Sequence, residues 1–252
     1  MVGLQCLMKF ALEFVATLCT AVFAGASLYI TLVEHPARME CGTAVAATQF
    51  RPSYRRATVM QASLAICAFL AALSAWWMNR TPIWLLGGIL IGAVVPFTLI
   101  AILPTNKKLL SAGLEKDSDL AGKLLSKWGK LHAVRTVLSL VALVILLVAT
   151  AAMGQERELQ IKESQLRQDL LTLRDEIQQY TLDKQRAPQT LDDLKQSGYV
   201  REIPTDPFTG KADWMIDMED ALMAVDQQEP GIWDIHSSSN LTASDGTAYS
   251  SW

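Results

Sequence analysis

The sequence has few cysteines, and they are badly placed for pairing or for metal binding. Cys6, Cys19, Cys41 and Cys67 are the four; none follows residue 67 and no two stand at CxxC spacing. That argues against a disulfide framework and against a cysteine-based zinc site. Histidine is scarcer still, with only His35, His132 and His236, too far apart for ligand spacing. There is also little net charge: 22 basic against 25 acidic side chains, or −3. A nucleic-acid binder read from overall charge is thereby excluded. The near-neutral sum hides a division. Residues 1–154 carry 13 basic and 6 acidic side chains (+7), whereas 155–252 carry 9 and 19 (−10). The long apolar runs fall almost entirely before Met153. Two halves this different in charge and hydropathy exclude a single soluble globule.

Four runs reach the roughly 20 apolar residues that cross a bilayer. They are Phe10–Val33, Ala57–Met78, Ile83–Leu103 and Val134–Met153, with Glu13 and Gln61 the notable polar interruptions. Runs this continuous are helices, because lipid offers no partner for an open backbone. Arg38, Arg51, Arg55 and Arg56 lie between the first two, and six lysines, Lys107 to Lys130, between the last two. Positive loops stay in the cytoplasm. The expected topology is therefore a cytoplasmic-membrane protein of bacterial type with both termini, and everything after Met153, outside. The first span could be read as a signal peptide with Val22-Phe23-Ala24 at its cleavage site. That would export the Arg-rich loop, so an uncleaved anchor fits better.

Polar residues collect at the cytoplasmic ends. The first span ends in Glu34-His35-Pro36-Ala37-Arg38, and the second follows Tyr54-Arg55-Arg56 and carries Gln61 a turn inside. Pro104-Thr105-Asn106 closes the third, and Trp128, His132 and Arg135 share one face of the fourth at i, i+4, i+7. Two readings compete. One is interfacial anchoring, with aromatics in the headgroup belt, basic chains snorkelling, and Pro36 and Pro104 stopping helices. The other is a pocket open to the cytoplasmic leaflet, with His35 and His132 as acid–base or ligand groups. Glu13, near the outer end, is an intramembrane acid and so a functional candidate in its own right.

Leu28-Tyr29 with Glu34-His35-Pro36-Ala37-Arg38, Pro96-Phe97-Thr98-Leu99 with Pro104-Thr105-Asn106, and Trp128 with Leu131-His132 and Arg135-Thr136 recur in order. Over about residues 10–150 the chain resembles the anthrone-oxygenase-like family of four-span membrane proteins. The resemblance implies the fold, and by analogy with fungal members an oxidation of anthrones to anthraquinones without metal or flavin. If it also implies chemistry, His35, Asn106, His132 and Arg135 are the catalytic candidates. A base would take a proton from a phenolic substrate, its carbanion would meet O2, and a cation would steady the oxyanion.

Beyond the fourth span, Leu166, Leu170, Leu173, Ile177 and Tyr180 follow 4-3-4-3 spacing. One helix from about Val134 to Asp183 is expected, lipid-embedded first and amphipathic afterwards, its stripe packing on the chain's own sheet rather than in a coiled coil. Thr190 should cap a short helix ending near Gly198. Turn signals then separate β-prone pieces at Ala212–Ile216, Ile232–His236 and Thr247–Trp252, which suggests a small antiparallel sheet. Asp206, Asp234, Asn240 and Asp245 are oxygen-bearing turn residues of the kind that bind Ca2+.

Leu166-Arg167-Gln168-Asp169-Leu170, Asp206-Pro207-Phe208-Thr209-Gly210, Pro230-Gly231-Ile232-Trp233-Asp234 and the tail Asp245–Trp252 resemble the globular domain of a type II secretion major pseudopilin, over about residues 155–252. The resemblance implies a stalk helix on a short sheet, envelope or secretion-system partners, and a Ca2+ loop to which Asp245 and Asn240 would carry over. The processed Gly-Phe pair and its following Glu are missing from the fourth span, so assembly into a filament is not implied. The sequence thus reads as a four-span transmembrane bundle, 1–153, followed by an exported α+β pseudopilin-like domain, 154–252. The favoured role is display of that domain outside the membrane. The alternative is a membrane oxygenase for anthrone-like lipophilic polyphenols.

Overall fold

Apolar length dictates the first part of the fold. In the computed structural model, which describes residues 2–219 and 229–252, four helical stretches are long and apolar enough to cross a membrane: Leu7–Glu40, Thr43–Asn79, Pro82–Leu109 and Asp119–Lys184. The chain divides into two compact units, Met1–Met153 and Gly154–Trp252.

The first unit comprises α1 (Val2–Tyr29), α2 (His35–Glu40), α3 (Thr43–Asn79), α4 (Pro82–Phe97), α5 (Leu103–Leu109) and the opening part of α6 (Asp119–Lys184). Small residues line its seams: Ala65, Ala68, Ala72 and Ala75 of α3 are all buried, against Ile91 and Trp84 of α4. In a bilayer the apolar effect between helices is weak, so such residues let backbones approach and gain dispersion contacts. Asn79 Nδ2 donates to Glu13 Oε1 at 2.7 Å, and the Thr17 and Thr150 hydroxyls meet at 3.2 Å. Glu13 is thus a buried carboxylate with an amide partner joining α1 to the end of α3.

Pro36 and Pro104 do not stop helices, contrary to the anchoring reading. Each sits in the first turn of a short helix, α2 and α5, that continues the preceding one through a π-helical turn, Ile30–Glu34 and Thr98–Ile102. The His35 N–H bonds to the Ile30 carbonyl and the Leu103 N–H to Thr98, one residue further back than in an α-helix. The wider turn comes just where the next residue has no N–H and its ring would crowd a carbonyl. The fourth helix is likewise longer than its apolar run, starting at Asp119 rather than near Val134.

The second unit is built on the end of α6. Leu166, Leu170, Leu173, Ile177 and Tyr180 are all buried, together with Leu194, Trp214, Ile232, Ile235 and Tyr249. The 4-3-4-3 stripe therefore packs on its own unit, as its spacing indicated. A capping box between Thr190 and Asp193 starts α7 (Leu191–Gln196). Among the described residues the sheet has two antiparallel strands, β1 (Met215–Glu219) and β2 (Gly231–His236). Pairing begins at Met215, later than the expected Ala212, because Trp214 Nε1 donates to the Pro204 carbonyl and the Asp206 N–H to the Lys211 carbonyl, holding that stretch in a turn.

Thr247–Trp252 is not a strand. Asp245 Oδ1 accepts both the N–H and the hydroxyl of Thr247, Gly246 turns at φ 87°, and only an isolated Thr242–Ala248 bridge forms. The chain then tightens into a 3₁₀ turn, Tyr249–Ser251, that drives Tyr249 inward. Its hydroxyl donates to Glu163 Oε1 at 2.9 Å, and burial and this carboxylate together push it up to about 12.

Arg174 closes the other side. It donates to Asp234 Oδ1 at 2.6 Å, to the Ile235 carbonyl at 2.8 Å and to the Trp252 carbonyl at 3.0 Å. Burial by itself would raise the Asp234 carboxyl. The hydrogen bonds from Arg174 and the Ile235 N–H, with the guanidinium charge, outweigh it and hold the group below the usual carboxylate range. A depressed carboxyl stabilises the fold above its unfolded pKa of about 4 and loses that contribution as pH falls through the folded value. Arg174→Ala is expected to cost about 1–2 kcal/mol at neutral pH and to flatten the acid limb of the second unit's melting curve. Melting followed by protease susceptibility of residues 154–252 between pH 3 and 7 checks both.

Candidate functional site in the membrane unit

The helix face carrying Trp128, His132 and Arg135 turns toward α1 and α3. Trp128 is the centre of an aromatic cluster: the tilted rings of His35 and His132 lie 5.2 Å and 4.8 Å away, and Phe50 meets it edge-on at 5.3 Å. Gly129 makes the close approach possible, since a Cβ there would overlap the His35 ring. Arg38, nearly fully buried, pairs with Glu34 and lies 5.9 Å from the Trp128 ring centre. Ser53 Oγ donates to the same Glu34 Oε1 at 2.9 Å.

His132 is held from both sides. Arg135 Nη2 stands 2.8 Å from Nε2, and Thr31 Oγ1 3.0 Å from Nδ1. A guanidinium can only donate, so Nε2 is the accepting nitrogen and Nδ1 carries the hydrogen. Thr31 accepts that hydrogen and passes its own to the Ser27 carbonyl at 2.9 Å. The π-helical turn of α1 is what carries Thr31. Arg135 Nη2 also donates to Gln61 Oε1 at 2.6 Å, and its guanidinium lies 5.4 Å from the Phe23 ring.

Several of these groups, among them Arg38, Trp128, His132 and Arg135, line a chamber of about 160 Å³. Its walls are mostly apolar, including Phe23, Phe50, Val94 and Ile102, with Arg38, Gln61, Asn106, His132 and Arg135 among the polar lining residues. Several buried polar atoms around it have no hydrogen-bond partner: Gln61 Nε2, Asn106 Oδ1, Arg38 Nε and Arg135 Nε. Gln61 is 3% exposed and Asn106 1%. A buried polar group left unpaired costs of the order of 1–3 kcal/mol. A cluster of them around one cavity is the pattern of a site whose ligand completes the bonding.

Three of the four candidates named from sequence, Asn106, His132 and Arg135, line this chamber. His35 packs against Trp128 and is outside the lining residues. Gln61 and Arg38 are equal members that motif reading did not select. The available signal for Gln61 was a lone amide a turn inside an apolar run; for Arg38 it was the i, i+4 spacing from Glu34. In the second unit, Asp245 spends Oδ1 on Thr247 and faces Arg167 at 3.5 Å, while Asn240 is exposed. Among the described residues no group of three or more His, Cys, Asp or Glu side chains is placed to hold a metal ion.

No curated protein and no solved structure matches the chain. Residues 50–145, from near the start of α3 into the apolar part of α6, match the family model described as anthrone oxygenase, so the stretch similar to that family supplies Gln61, Asn106, His132 and Arg135 but not Arg38.

Proposed function

We propose that the membrane unit is an oxygenase for anthrone-like lipophilic polyphenols. The observation that carries this reading is the set of unpaired polar groups, Gln61 Nε2 and Arg135 Nε above all, beside the accepting nitrogen of His132 in an otherwise apolar chamber. A phenol entering there exchanges its O–H for the Arg135 donor at His132 Nε2, which takes the proton. Arg135 and the free N–H of Gln61 then face the new oxyanion. The negative charge delocalises to the activated ring carbon, which bonds to O2 and so carries a peroxide. Loss of the second hydrogen on that carbon, with cleavage of the O–O bond, gives the carbonyl. One anthrone and one O2 thus yield one anthraquinone and one water, and the proton held by His132 is returned. O2 uptake by the full chain in vesicles, with an anthrone as substrate, tests this. Arg135→Met is expected to lower the rate by about 10²–10³-fold, the scale of one lost oxyanion donor; an unchanged rate removes the site.

For residues 154–252 we propose an interaction role of the pseudopilin-like kind, outside the cytoplasmic membrane of a bacterium and in contact with secretion or envelope components. Supporting it are the stalk stripe under a two-stranded antiparallel sheet and the exposed apolar side chains of Met215, Ile216, Met218 and Trp233. A topology reporter fused after Trp252, combined with crosslinking in native membranes, tests both parts. A cytoplasmic C-terminus would overturn the reading.

A further inference from the structure

The chamber does not close on all sides, and where it opens bears on what it can take. Its inner end is polar, with Gln61, Asn106 and His132 buried and Arg135 partly so. Its outer wall, between α3 and the α4–π-turn segment, includes Thr58, Ala62 and Leu99, all exposed, the last 58%. These three lie within stretches long and apolar enough to span a membrane. An opening there faces lipid, not water.

The seam itself explains the opening. Nearer the other end of α4 it is tightly closed: a Cβ on Gly88 would meet the Ala72 methyl at 3.1 Å, and one on Gly92 would meet the Phe69 ring at 2.7 Å. Past Gly92 come Pro96 and then the π-helical turn Thr98–Ile102, which break the regular small-residue contact. Opposite them α3 presents Ala57, Thr58, Ala62 and Ala65, none large enough to fill the gap. The α3/α4 seam is close-packed below and parted above, beside the chamber.

Size gives the second constraint. A chamber of about 160 Å³ is on the scale of a cavity of roughly 150 Å³ that holds one benzene ring. A lipophilic polyphenol is larger than that. With one oxygen-bearing ring against the unpaired donors, the remainder must pass through the parted seam.

Building on the phenol-oxidising reading above, we propose that the chamber is loaded sideways from the bilayer through the α3/α4 seam. Its ligands are amphiphilic phenols that place one hydroxylated ring among Gln61, His132 and Arg135 and leave an apolar body at Ala62 and Leu99, in contact with lipid. The mouth selects for a polar head on an apolar body; small water-soluble phenols gain nothing from it.

The test is photolabelling of the full chain in phospholipid vesicles with a long-chain alkylphenol carrying a diazirine in its chain, followed by mass-spectrometric mapping. Adducts should concentrate on Thr58, Ala62 and Leu99 and be competed by unlabelled alkylphenol. Ala62→Trp, at an exposed position where bulk does not disturb the core, should reduce competed labelling at Leu99 about tenfold or more. Val59→Trp, three residues earlier on the same helix and 73% exposed but outside the chamber lining, should leave it unchanged. Even labelling of lipid-facing positions without competition, or competed labelling that survives Ala62→Trp, overturns the lateral mouth. Labelling needs no turnover, so the two readings fail separately. Competed adducts in a protein that consumes no O2 keep the mouth and remove the oxygenase, whereas O2 uptake undiminished in Ala62→Trp keeps the oxygenase and removes the mouth.

Discussion

His132→Ala is expected to slow anthrone oxidation by about 10²–10⁴-fold, the contribution of one positioned acid–base group, while His35→Ala costs far less. Sequence treats the two histidines alike, but the structure does not. His132 lines the chamber with its accepting nitrogen toward Arg135 and its other nitrogen fixed by Thr31. His35 is not among the lining residues and instead packs against Trp128, which is. Its loss loosens a cluster without removing a group that meets substrate. Steady-state O2 uptake by both variants in vesicles decides between them. Equal losses would mean that His35 enters the chemistry directly and that the chamber is wrongly placed.

Leu173→Ala should destabilise the second unit by about 2–5 kcal/mol, the range for truncating a fully buried leucine. Leu173 is completely buried among Leu170, Ile177, Ile232 and Ile235, whereas Leu171, two residues earlier on the same helix, is 56% exposed. Leu171→Ala should stay within about 0.5 kcal/mol of wild type. Hydrogen exchange at the β2 amides of the full chain reads the difference, because those amides are protected only while the stripe holds the sheet. Equal effects of the two substitutions would mean that α6 does not pack on β2 through this face.

What could be read from the sequence is what depends on composition and period. Four apolar runs have only one helical solution in lipid, and five residues at 4-3-4-3 spacing have one buried face. The Thr190 cap was legible for the same reason, because a local hydrogen bond fixes it. The π-helical turns were not. Pro36 and Pro104 look like helix ends unless the turn before each is known to widen, and that the first such turn sets Thr31 against His132, 101 residues on, shows only in the fold. The Arg135–Gln61 bond joins positions 74 apart, so the amide could be seen as odd but not assigned. Thr247–Trp252 has strand-like composition, yet Tyr249 turns in to donate to Glu163, a residue 86 positions earlier, instead of extending along an edge. Exposure of Ala62 and Leu99 beside a buried polar cluster is likewise a property of two helices together.

The most direct test of the central claim is turnover of an anthrone by the full chain under O2 carrying heavy oxygen. A carbanion captured by O2 leaves one oxygen in the new carbonyl and one in water, so the quinone formed by wild type should carry one heavy atom, and His132→Ala should form it only at background rate. Quinone without heavy oxygen, or equal formation by wild type and His132→Ala, would contradict the account.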